Sequence, residues 1–300
     1  MKNWITAARL RTLPLSVSGI FLGSLLAAAE GKFNWIILGL AFLTTLLLQI
    51  LSNYANDYGD GIKGTDAHRT GEKRAVASGL ILAGEMKKAV KITAILASIS
   101  AIALLAISFL PNHPILFAFF ILLGAASVWA AISYTVGKRA YGYRAMGDLF
   151  VFLFFGWVSV MGSYLLYTKS MNWSILLPAS AIGLLSAAVL NLNNMRDIPQ
   201  DKRVGKRTIA VNLGLFYSKF YHAILLFMPF VLGLLYVLIF KEIYWTQFLF
   251  LLLLIPATLQ MINVGNTQEY AKLDSELKKT ALMTLIFALI FGFGIVGSHL

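Results

Sequence analysis

Residues 35–66 read WIILGLAFLTTLLLQILSNYANDYGDGIKGTD. An apolar run from Trp35 to Leu51 passes directly into Asn53, Asn56, Asp57, Asp60 and Asp66. A helix needs about 20 apolar residues to cross the hydrocarbon layer, and this stretch supplies nearly that. Carboxylates beside hydrocarbon are costly unless something positive meets them. The acids therefore either mark the water boundary or hold a cation.

Composition narrows the class. Of 300 residues, 59% are hydrophobic and 13% charged, with mean hydropathy +0.77. A soluble domain carries about twice that charge fraction, so the chain is an integral membrane protein. Cysteine is absent, which excludes a disulfide framework and a thiolate metal site. The net charge of +12 sits in short connections between apolar runs. It suits topology signals and anionic lipid headgroups, and no nucleic-acid role is expected. Lys2, Arg9 and Arg11 precede an apolar run ending at Ala27-Ala28-Ala29. That run is too long for a signal core and is read as a retained first helix.

Apolar length predicts nine spans, near 13–29, 35–55, 89–110, 115–136, 147–168, 173–194, 218–240, 243–264 and 280–299. With the N-terminus inside, the outer connections hold only Lys32, Lys169 and Lys241 of the 25 basic residues. That asymmetry predicts a multi-pass protein of the plasma (bacterial inner) membrane, with its N-terminus and long polar connections cytoplasmic. The two longest connections, near 56–88 and 195–217, come after spans two and six. The expected fold is thus one all-α, membrane-embedded domain over residues 1–300. It is a nine-helix bundle with two four-helix pseudo-repeats, whose matching polar motifs point to a site.

The second motif is NLNNMRDIPQDKRVGKRT, residues 191–208. Asn193, Asp197 and Asp201 are spaced by four, and Asn53, Asp57 and Asp60 by four and three; both spacings stack on one helix face. Asn194 and Asn56 adjoin them. Pro199 predicts a bend or an end before Asp201. Hard divalent cations take oxygen ligands, and Mg²⁺ combines one or two carboxylates with phosphate oxygens and water. Arg69, Arg74, Lys138, Arg139, Arg144, Lys206 and Arg207 suit the remaining oxygens of a diphosphate. Tyr134 either hydrogen-bonds at the site mouth or belongs to an interfacial belt. Asp148 is open between ligand, base and helix cap.

NDYGDGIKGTD, YTVGKRAYGYRAMGD, FFGWVSVMGSYLL and NLNNMRDIPQDKRVGKRT, with the spans between them, resemble the UbiA superfamily of membrane prenyltransferases. Within it they are most similar to the menaquinone-pathway branch acting on 1,4-dihydroxy-2-naphthoate. The resemblance implies Mg²⁺-dependent transfer of a polyprenyl chain from its diphosphate to that naphthoate, with loss of CO₂. It implies Mg²⁺ on Asp57, Asp60, Asp66, Asp197 and Asp201, with Tyr134 beside them. Diphosphate and naphthoate would meet Asn53, Asn56, Arg69, Arg74, Lys138, Arg139, Arg144, Asp148, Asn193, Asn194 and Arg207. Superfamily members often carry Asn-x-x-x-Asp-x-x-x-Asp, whereas Gly64 stands at the third place here. Asp57 and Asp66 both stay open as the third ligand.

Three alternatives are weighed. Another aromatic acceptor, such as 4-hydroxybenzoate or haem, is disfavoured by the motifs. A CDP-alcohol phosphotransferase would continue Asp57-x-x-Asp60-Gly61 with Ala-Arg, where Gly64-Thr65 stand. A secondary transporter would hold its ions near the membrane midplane rather than at span ends.

Overall fold

The computed structural model describes residues 2–64, 74–137 and 140–298. The helices are α1 (Lys2–Ala8), α2 (Leu13–Ala28), α3 (Trp35–Lys63), α4 (Ala83–Phe109), α5 (Pro114–Ser133), α6 (Gly147–Thr168), α7 (Trp173–Arg203), α8 (Ile209–Phe240), α9 (Trp245–Asn266) and α10 (Tyr270–Val296). Among the described residues, eight are long and apolar enough to cross a bilayer. Counting the pair α1–α2, bent by 54°, as one broken span brings the number to nine. Each of the nine predicted spans falls on one of these helices.

Helix α7 is the most buried of the long helices and packs against α6, α8 and α10. Large apolar side chains such as Ile115, Leu122, Phe216 and Ile255 are exposed on outer faces, as expected where lipid replaces water. Helix α6 is π-helical over Phe152–Met161, a wider winding often found at functional sites. Its neighbours approach closely: a Cβ on Gly156 would meet Ala179 and Gly183 of α7, and one on Gly23 of α2 would meet Val160.

Two predicted boundaries move. Helix α3 continues through its acidic motif to Lys63, where Gly64 caps it at φ 69°. Helix α7 continues through Pro199 to Arg203, so the expected end before Asp201 does not occur. Proline removes one helical hydrogen bond. Burial of Met195 and Ile198 in a cluster with Leu273 and Leu277 of α10 offsets that loss. Gly205, at φ 70°, then turns the chain, so both motif helices end beside a left-handed glycine.

Candidate active site

Both motifs line one cavity of about 370 Å³. Asn53, Asn56 and Asp60 reach it from α3, Asn193 and Asp197 from α7, Tyr134 from the end of α5, and Arg74 and Lys206 from the connections. Farther in, the lining is largely apolar, with Ile20, Leu104, Phe154, Val158 and Leu166. Along α3 the lining runs from Ala41 to Asp60, about 28 Å at the rise of an α-helix. A charged head and a long apolar body suit an amphiphile.

The first motif is fastened by backbone groups. Asp57 is buried, and its two carboxylate oxygens accept the Ala75 and Val76 N–H groups at 3.0 and 2.9 Å. Those bonds anchor the chain right after Arg74, whose Nη2 stands 3.8 Å from Asp60 Oδ2. Asp60 Oδ1 accepts the Tyr143 hydroxyl at 2.7 Å. Asn53 donates to the Ala8 carbonyl at 2.8 Å, and Asn56 Oδ1 accepts from Thr135 at 3.1 Å.

The second motif is fastened by side chains. Arg196 is buried; its Nε and Nη2 donate to the two carboxylate oxygens of Asp197 at 2.8 and 2.9 Å. Nη2 also meets Asn193 Oδ1 at 2.7 Å, and Nη1 meets Asp274 Oδ1 of α10 at 2.5 Å. Asp201 lies 3.5 Å from Lys206 Nζ. The connections carrying Tyr143 and Arg207 pair with each other: the Ala145 N–H donates to the Arg207 carbonyl at 2.7 Å, and the Arg207 N–H to that of Tyr143 at 3.3 Å. Lys63 and Lys206 lie 4.3 and 5.6 Å from the centre of the Tyr143 ring, which suits cation–π attraction. Tyr143 thus touches both halves.

Of the predicted residues, Asn53, Asn56, Asp60, Arg74, Tyr134, Asn193 and Asp197 come together at the cavity. Asp57 and Asp201 are buried beside it but do not line it. Asp60 lines the cavity with Asp197, whereas Asp57 turns to the 75–76 backbone. Asn194 is buried away from the lining, and Asp148 is buried near Tyr221 of α8. The Arg144 and Arg207 side chains are exposed, and their backbones form the bridge between connections. Asp66, Arg69, Lys138 and Arg139 lie outside the described residues. Arg9 and Tyr143 were missed: Arg9, at φ 50° in the break between α1 and α2, lines the cavity. In sequence it reads as one more topology charge.

Burial alone pushes the Lys206 ammonium down, but Asp201, Tyr134, Asp60 and Asp197 outweigh it and hold the group above its ordinary range. Burial pushes the Tyr134 phenol up to about 12. At neutral pH the cavity therefore presents a fixed cation and a neutral hydroxyl. Among the described residues, no three His, Cys, Asp or Glu side chains are grouped to hold a metal ion. Any ion here also needs amide oxygens or oxygens brought by a ligand.

Residues 16–286 match the UbiA prenyltransferase family. The chain belongs to that family. Two relatives are named 1,4-dihydroxy-2-naphthoate octaprenyltransferase. The Escherichia coli (strain K12) protein is 42% identical over 97% of this chain and 94% of its own length. The Haemophilus influenzae protein is 40% identical over 99% of this chain and 96% of its own. Among solved structures, a UbiA homolog from Archaeoglobus fulgidus bound to GPP and Mg²⁺ superposes with TM-score 0.66. It covers 98% of this chain and 99% of that one at 14% identity. UbiA membership and the eight long apolar helices among the described residues make this a multi-pass membrane protein of the expected helical-bundle class.

Proposed function

We propose that this UbiA protein transfers a polyprenyl chain from its diphosphate to 1,4-dihydroxy-2-naphthoate, releasing diphosphate and CO₂. The observation that carries the reading is the two-motif cavity, polar at the helix ends and apolar within. A diphosphate head fits among Arg74, Lys206 and the Asn/Asp oxygens, and the isoprenoid tail fits the apolar length. The full-length similarity to naphthoate octaprenyltransferases supports this acceptor.

Mg²⁺ fits the donor set, since it takes few carboxylates and shares phosphate oxygens. Asp60 and Asp197, with the amide oxygens of Asn56 and Asn193, would hold it. When bound, it draws charge from the diphosphate leaving group. Arg74 and Lys206 meet the remaining negative charge, which grows as the carbon–oxygen bond breaks. The apolar walls keep water from the allylic cation. The ring carbon bearing the carboxylate attacks, and the carbon–carbon bond forms as CO₂ leaves. Nearby aromatic faces, including Tyr141, Phe150 and Phe154, favour positive charge at that end. The tail stays in apolar surroundings throughout.

The charge pattern supports the bacterial inner membrane with both motifs cytoplasmic. Reporter fusions at Gly31, Pro111, Asn172 and Lys241 should read outside, and one at Lys202 inside; the reverse at Lys202 overturns the orientation. For the activity, purified protein with Mg²⁺ is given a polyprenyl diphosphate with and without acceptor. Diphosphate should appear only with the naphthoate. Release without acceptor, or only with 4-hydroxybenzoate, overturns the reading.

A further inference from the structure

We propose that Asp274, on the last helix and outside both motifs, is a positioning residue that sets how Asn193 and Asp197 face the cavity. It acts through Arg196. One planar guanidinium takes both oxygens of Asp197 and the Asn193 carbonyl, and its remaining edge is held by Asp274. A guanidinium fork fixes the plane of what it binds, which a lysine does not. The two α7 side chains are therefore oriented as one unit, and that unit is tied to α10.

The charges explain why an acid is needed at 274. Asp274 adds a second negative charge beside Arg196, which makes the field at Asp197 more favourable to a cation. Neutralising Asp274 removes that charge. It also leaves a buried cation with one carboxylate partner fewer, so Arg196 holds Asp197 more tightly. Both effects make Asp197 a poorer ligand. A purely structural pair between α7 and α10 would not alter ion affinity.

The inference rests on the proposed metal role of Asp197 and Asp60. Its test reads binding directly: Mn²⁺ titration followed by electron paramagnetic resonance, with geranyl diphosphate present, on full-length protein in detergent. Asp274→Asn should weaken Mn²⁺ binding by roughly tenfold, the lower end for residues that orient ligands. Asp274→Glu should recover most of the loss, and the KM for naphthoate should not move in either. Glu269→Gln, which removes an exposed pair with Lys272, serves as the control and should match wild type. The Asp274 side chain is 35% exposed, so the isosteric asparagine should leave Tm nearly unchanged. Wild-type Mn²⁺ affinity in Asp274→Asn, with loss in Asp60→Asn, overturns the role of Asp274. Wild-type affinity in Asp60→Asn overturns the two-motif metal reading instead.

Discussion

The two aspartate motifs look alike in sequence and are wired differently. At the end of α3, Asp57 is consumed by two backbone N–H groups, which leaves Asp60 for the cavity. At the end of α7, Asp197 faces the cavity while bonded to its neighbour Arg196. The reason lies in the course of the chain beyond each helix. After α3 the chain returns at 74–76 and needs an anchor, which a buried carboxylate supplies through charge-assisted bonds. After α7 the chain turns at Gly205 straight into α8, and its anchor is instead α10, reached by a long arginine. A carboxylate in such a motif can thus be a ligand or a fastener, and the spacing alone does not distinguish them.

The largest expected effects test whether the cavity carboxylates are equivalent across the halves. Asp60→Asn and Asp197→Asn should each lower kcat by roughly 100- to 1,000-fold, as for loss of one electrostatic stabiliser. Diphosphate release at saturating Mg²⁺ measures this, with membrane protein levels as the control. An Asp197→Asn enzyme that kept most of its turnover would make the second motif an anchor only.

Asp57→Ala should differ in kind from that pair. The buried Ala75 N–H loses its acceptor, at a cost of about 1–3 kcal/mol, and the half-buried Val76 N–H loses its own, so Tm in detergent should fall. The KM for prenyl diphosphate should rise as Arg74 loses its hold, while the Mg²⁺ requirement stays put. A shifted Mg²⁺ requirement with unchanged Tm would restore Asp57 as the ligand expected from the sequence.

A smaller effect is expected from Arg74→Lys, which exchanges a planar fork for a point charge. It should raise the KM for prenyl diphosphate several-fold and leave that for the naphthoate alone. Lys278→Ala, exposed near the start of α10, should change neither. Equal losses at 74 and 278 would mean that the charge serves topology alone.

The smallest effect concerns pH. The raised Lys206 value means its charge stabilises the fold fully below the ordinary lysine value of about 10.4, a contribution lost as pH climbs through the folded value. Tyr134 stays neutral in the fold up to about 12, so ionisation of the unfolded phenol from about pH 10 upward also favours unfolding. Both signs agree: these two groups should leave Tm flat below about pH 10 and lower it above. A thermal melt series across that range checks it, and a Lys206-dependent fall near neutral pH would contradict it.

Membrane class, the placing of the long apolar helices and the matching of the two polar motifs were all legible in the order of residues. Hydrophobic length and residue spacing are local properties, and lipid enforces them by demanding that backbone groups be satisfied within each helix. Which oxygens face the cavity was settled only by folding. Asn53, Asp57 and Asp60 share a helical face by spacing, yet the returning 75–76 backbone claims Asp57 and leaves Asp60. Proline at 199 stays within α7 because Met195 and Ile198 are buried with residues of α10, a contact about 75 residues distant in the chain whose packing outweighs local propensity. Arg9 and Asp274 reach the site or its supports from segments with no motif of their own, and Tyr143 from a quoted motif whose spacing did not single it out. Their roles come from folding distant segments onto the motifs, which no local pattern encodes.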